Sequence, residues 1–197
     1  MLILEWVAVG IIVATSVGML IARDWRVSVS LLAVQYLAMF VLLLSHLPLG
    51  MASAKVVAGW MSCAILGLTR SDLPEIMEDE GLWPRGRLFR LFAAALVGII
   101  VAGAVPSVDA IMADAGLPVT SGALILIGMG LLHLGITSQV LRVTQGLMTV
   151  IAGFEILYAT VEGSVLVAAL LAVITLGLAL VGAYLMIASR SSSAETP

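Results

Sequence analysis

Two charged side chains in this sequence stand among apolar neighbours, and both are of types suited to proton or ion exchange. Glu155 lies inside the run Leu147-Met148-Thr149-Val150-Ile151-Ala152-Gly153-Phe154-Glu155-Ile156-Leu157-Tyr158. A charged residue at the centre of a membrane helix costs about 2.5–3.5 kcal/mol on insertion scales and more in simulations. A carboxyl kept there has two readings. It is a proton-relay or ion-pathway group, or it is a protonated or hydrogen-bonded group that serves packing. Lys55, the only lysine, sits in a second apolar stretch. It reads either as a charge partner in an ion path or as a side chain that snorkels to the interface on its four-carbon stem.

His133 is the third candidate for an ion pathway, near the end of another apolar run. His133 and His46 each have two further readings, as a pigment or haem ligand or as a hydrogen bond to a neighbouring helix. A two-histidine haem needs both ligands at one level, and these two fall at opposite ends of their spans. Gln35 and Gln145 add polar positions within apolar segments. Catalytic patterns are missing: no Gly-x-x-x-x-Gly-Lys, His-Glu-x-x-His or Gly-x-Ser-x-Gly occurs. The chain is therefore not expected to be catalytic alone, and no cofactor or metal is expected.

The elements that hold these residues must lie in a bilayer. The chain is 62% hydrophobic and 11% charged, with a mean hydropathy of +1.20, whereas a soluble domain carries about 25% charged residues. Its basic residues are scattered and form no patch, which excludes nucleic acid as a partner. Cys63 has no second cysteine to pair with and reads as a small buried hydrophobe. The segment 2–22 has no basic residue before Arg23 and too long an apolar core for a cleaved signal, so it reads as a retained helix.

Crossing a bilayer takes about 20 apolar residues, and seven segments qualify: 2–22, 27–47, 50–69, 88–105, 119–137, 141–161 and 163–188. The expectation is an all-α integral membrane protein of seven transmembrane helices. Only 70–87 is long enough for a substantial loop; its Glu75, Glu78, Asp79 and Glu80 read as a solvated face, with Trp83 and Pro84 at the re-entry point. Arg23 and Arg26, Arg70, Arg85, Arg87 and Arg90, Arg142, and Arg190 all fall at odd-numbered connections or in the tail. The positive-inside rule then puts those loops and the C-terminus in the cytoplasm and the N-terminus outside.

Two three-helix units are expected, 1–70 and 119–189, joined by 71–118 (a cytoplasmic loop, a linking helix and an outer loop), with a flexible tail at 190–197. Arg26-Val27-Ser28 and Arg142-Val143-Thr144 open the second span of each unit, and an odd linking helix makes the copies parallel rather than inverted. By helical rise, Glu155 lies roughly 20 Å beyond Arg142, and Lys55 roughly 8 Å into its span from the other side. In a hydrocarbon core about 30 Å thick the two depths are similar. A contact is allowed but not required.

The second unit resembles a known family. Gly128-Met129-Gly130-Leu131-Leu132, Val140-Leu141-Arg142-Val143, the stretch Leu147 to Leu157 with Gly153-Phe154-Glu155, and Glu162 to Ile187 are similar to the three-helix subunit K of respiratory complex I, whose family includes the C subunit of multisubunit cation/proton antiporters. The full layout looks most like hydrogenase-4 component E. The resemblance implies a membrane-arm subunit of a proton- or sodium-translocating respiratory or hydrogenase-type complex in a bacterial inner membrane. Its partners would be lipids and other, antiporter-like membrane subunits, and Glu155 would be the pathway carboxylate. Subunit K carries a second intramembrane carboxylate in its third helix, and the corresponding span here has none. The competing expectation is a scaffold or pigment- or haem-binding subunit of an electron-transfer or photosynthetic complex.

Overall fold

The computed structural model describes residues 2–73, 86–112 and 115–194. The acidic cluster at 75–80, Trp83, Pro84, Arg85 and Asp114 lie outside the described residues. Seven helices account for nearly all of the rest: α1 (Leu2–Ile21), α2 (Trp25–Leu43), α3 (Leu49–Ser71), α4 (Arg87–Ile111), α5 (Leu117–Ile136), α6 (Val140–Val161) and α7 (Val165–Ala194). Each is long and apolar enough to cross a membrane, and the described residues contain no strand. The protein is an all-α, seven-span, multi-pass membrane protein.

Local chemistry sets the breaks. The Asp24 carboxylate accepts a hydrogen bond from the Arg26 backbone N–H at 2.9 Å and caps α2. Pro48, extended at φ −61° and ψ 149°, precedes α3. Gly116 adopts φ +82°, a left-handed conformation that favours glycine, and turns the chain into α5.

Two helices run six residues beyond the sequence reading. The fourth span does not stop before Pro106, because α4 continues through it to Ile111. Proline is tolerated within membrane helices, where neighbouring groups and local adjustments take up the freed backbone groups. The segment expected as a flexible tail from 190 is helical as far as Ala194.

Helices of the first half pack against helices of the second: α1 on α5, α2 on α6 and α3 on α7. One core runs through both halves, with Ile12, Leu32, Leu42, Leu66, Leu126, Met148 and Ile156 essentially inaccessible. The linking helix α4 lies to one side against α5 and α1, around Leu20, Ala94 and Met129.

One end of the bundle gathers the arginines at the junctions of α1–α2, α3–α4 and α5–α6. There Arg90 donates to the Leu20 carbonyl at 2.9 Å and Arg142 to the Ala22 carbonyl at 2.8 Å. Helix α1 has no basic residue in its last turn. The two arginines supply from α4 and α6 the positive charge that its C-terminal carbonyls favour.

Candidate functional site

Lys55 and Glu155 meet inside the bundle. Nζ of Lys55 is 3.0 Å from Oε1 of Glu155, and their side chains are 5% and 4% exposed. The distance makes them an ion pair. The approach is off the line of a directed hydrogen bond, and neither atom has another hydrogen-bond partner among the described residues. An ammonium has three donors, so the pair is matched in charge and under-bonded.

Neighbouring helices aim the two side chains at each other. Four residues after Lys55, a Cβ on Gly59 would fall 2.5 Å from the ring of Tyr36. The missing side chain lets that ring lie across α3. Two residues before Glu155, a Cβ on Gly153 would come within 2.6 Å of the Ala123 carbonyl oxygen. Such small residues let membrane helices approach at the backbone, and this contact fixes the rotation of α6 that turns Glu155 inward.

A crevice of about 10 Å³, space for about one water molecule, reaches the pair between Met51, Tyr158, Glu162 and Ser164. Glu162 and Ser164 belong to the α6–α7 connection, so the crevice leads to the end opposite the arginines. On the arginine side of the pair the interior is polar. Ser28 Oγ donates to Gln145 Oε1 at 2.7 Å, Gln35 Nε2 donates to Ser16 Oγ at 2.8 Å, and Thr149 Oγ1 stands 3.4 Å from Gln35 Oε1.

The remaining candidates lie elsewhere. His133 is buried near the arginine end of α5. Gly130 packs against Gly146 and Val150, and Gly153 against Ala123 and Ile127. This antiparallel register puts His133 level with Gln145, roughly 15 Å along the axis from Glu155. His46 is at the opposite end, where its Nε2 is 3.1 Å from the Ala115 carbonyl oxygen. Thr175, the central polar residue of α7, donates to the Leu171 carbonyl of its own helix at 3.0 Å. Among the described residues no three His, Cys, Asp or Glu side chains are grouped so as to hold a metal ion.

Sequence reasoning did not single out Tyr36, Ser16, Ser28 or Thr149. The available signal was spacing: Ser28 and Gln35 are seven apart on α2, and Gln145 and Thr149 are four apart on α6, so each couple shares a helix face.

No protein-family model matches this chain, and no curated protein or solved structure matches it.

Proposed function

We propose that this chain is a membrane-arm subunit of a proton- or sodium-translocating complex of the respiratory or hydrogenase type, with the Lys55–Glu155 pair as an exchange point on its ion path. The observation that carries this reading is the pair itself, buried between membrane helices at 3.0 Å and reached by a crevice from one end. Taking two charges out of water costs several kcal/mol per ion, and well-packed apolar residues often replace a buried pair at no loss of stability. A fold that needed only stability would have little use for it. The resemblance of 119–188 to the subunit K family supports the same role for Glu155.

In this reading a proton delivered to Glu155 Oε1 removes the carboxylate charge and releases Nζ of Lys55. Loss of the proton restores the attraction. The positive-inside rule favours a cytoplasmic arginine end; in this reading the crevice, the N-terminus and Glu162 face the outer side of a bacterial inner membrane. No acidic residue lies on α7, so the second carboxylate of the subunit K pattern falls to a neighbouring, antiporter-like subunit. Exposed apolar faces on α4 and α7, among them Phe92, Ile99 and Leu166, are open to such a neighbour or to lipid.

Extraction in mild detergent, followed by identification of the proteins that co-purify, tests this proposal. The expected result is a large assembly containing antiporter-like membrane subunits. A stable monomer that conducts ions alone in liposomes would refute it.

A further inference from the structure

We infer that the other half of the path is a proton wire made of this chain's own hydroxyl and amide groups, leading from Glu155 past Tyr36 and Thr149 to Gln145 and Ser28 at the arginine end, and that the ion carried is the proton. The inference rests on the reading of Glu155 as an exchange group and adds both a route and an ion to it.

The geometry is a column spanning three helices. At the arginine end, Ser28 of α2 donates to Gln145 of α6 at 2.7 Å. One helical turn further in, Thr149 donates to the Gln145 carbonyl at 2.8 Å and stands 3.4 Å from Gln35 Oε1. Gln35 in turn donates to Ser16 of α1 at 2.8 Å. Next to Gln35 on α2 is Tyr36, whose ring lies against Gly59 of α3, one helical turn from Lys55, the partner of Glu155. All of these side chains are buried.

Two atoms in the column have no partner among the described residues, the Tyr36 hydroxyl and Gln145 Nε2. They mark its two ends, one toward Glu155 and one at the arginine end. Hydrogen bonds between membrane helices average only about 0.6 kcal/mol, so a column kept for stability alone is a poor reason to leave buried valences open. Buried polar atoms without a protein partner are where ordered water binds.

A hydroxyl or a water both donates and accepts. A proton crosses such a file when each oxygen takes one proton on one side and releases another on the other side, so that only O–H bonds form and break. Here the amides of Gln35 and Gln145 hold and orient the file, while the hydroxyls and water carry the proton. A metal cation would instead need several oxygens around one point to replace its hydration shell. The column's oxygens are strung out over roughly 15 Å, ten residues of helical rise.

The test uses the full-length chain in its native complex in sealed vesicles, with a pH-sensitive dye for protons and isotopic sodium in parallel. Tyr36→Phe and Thr149→Val each remove a hydroxyl at nearly constant shape, Thr149→Ser retains one, and Glu155→Gln is the reference. Proton translocation per assembled complex should fall roughly fivefold in Tyr36→Phe and Thr149→Val, the rate equivalent of one lost hydrogen bond. Thr149→Ser should stay near the parental rate.

Purely structural side chains would give another pattern. Tyr36→Phe would then assemble at least as well as the parent, with unchanged translocation, because it only deletes an unpartnered hydroxyl. Parental rates in Tyr36→Phe and Thr149→Val alongside a loss in Glu155→Gln would overturn the column and leave the exchange pair standing. A parental rate in Glu155→Gln would overturn the exchange reading, and the column with it. Sodium uptake that follows the parental, Glu155→Gln and column variants while proton uptake does not would overturn the assignment of the ion.

Discussion

Removing one partner of the Lys55–Glu155 pair should cost far more than removing both. Two unit charges 3.0 Å apart attract by about 5.5 kcal/mol at an effective dielectric constant of about 20. Desolvation offsets much of that in the intact pair. Lys55→Met leaves a buried carboxylate without its counter-charge, and Glu155→Gln leaves a buried ammonium without one. Losses of this kind run at about 3–5 kcal/mol, whereas replacing both partners by neutral groups is often close to neutral. For a chain of this length a loss of about 3 kcal/mol lowers the unfolding midpoint by roughly 10 °C. The assay is a double-mutant cycle on the purified protein in detergent, with unfolding followed by far-ultraviolet circular dichroism. Lys55→Met, Glu155→Gln and the double variant are compared with the parent at one pH and salt concentration. The double variant should recover at least about 2 kcal/mol relative to the sum of the single variants. Additivity within about 0.5 kcal/mol, the value for sites that do not interact, would refute a buried, coupled pair.

Two further outcomes follow from the packing and one from the proposed topology. Gly153→Ala should destabilise the protein by about 1–3 kcal/mol through overpacking against the α5 backbone, since its Cβ would sit 2.6 Å from the Ala123 oxygen. Gly103→Ala, with open space around it, should instead gain about 0.5–1 kcal/mol in helix stability; a reversed order in thermal unfolding would contradict the α5–α6 contact. Arg142→Met should cost about 1.5–3 kcal/mol for a charge-assisted hydrogen bond, because the Ala22 carbonyl loses its 2.8 Å donor; an unchanged unfolding midpoint would show that the contact contributes nothing. In a Cys63→Ala background, Gly163→Cys should react with an impermeant thiol reagent in intact cells and Asp72→Cys only after lysis; the opposite pattern would invert the proposed topology.

The spans were legible in the sequence because apolar length and arginine placement are one-dimensional signals. Glu155 stood out for the same reason, as an acid in an apolar run. Depth was legible as well: counting residues from Arg142 and from the start of the third span put Glu155 and Lys55 at one level. Their meeting was not legible, because it depends on how α3 and α6 are rotated. That rotation is set by contacts with other helices, the Tyr36 ring over Gly59 and the Ala123 carbonyl against Gly153.

The fourth span, read as 88–105, fell short of Ile111 because the usual rule against proline in helix interiors weakens in a membrane, where neighbouring groups can take up the backbone valences freed at Pro106. His133 stands level with Gln145 in the α5–α6 register, away from the pair, a placement that depends on helix packing rather than on sequence spacing. The column from Tyr36 to Ser28 was hidden for a different reason. Serine, threonine and tyrosine are ordinary in membrane helices, and only their alignment across α1, α2 and α6 distinguishes them.

The most direct measurement of the central claim is the number of ions moved per electron transferred, or per turnover of the parent complex, when Glu155→Gln replaces the parental chain in reconstituted vesicles. Gln keeps the shape of the side chain and removes the titratable charge. If Glu155 exchanges protons, the stoichiometry falls while the electron-transfer rate per assembled complex stays near parental. A stoichiometry equal to that of the parent, with Glu155→Gln fully incorporated, would contradict the claim and leave Glu155 as a residue that serves packing.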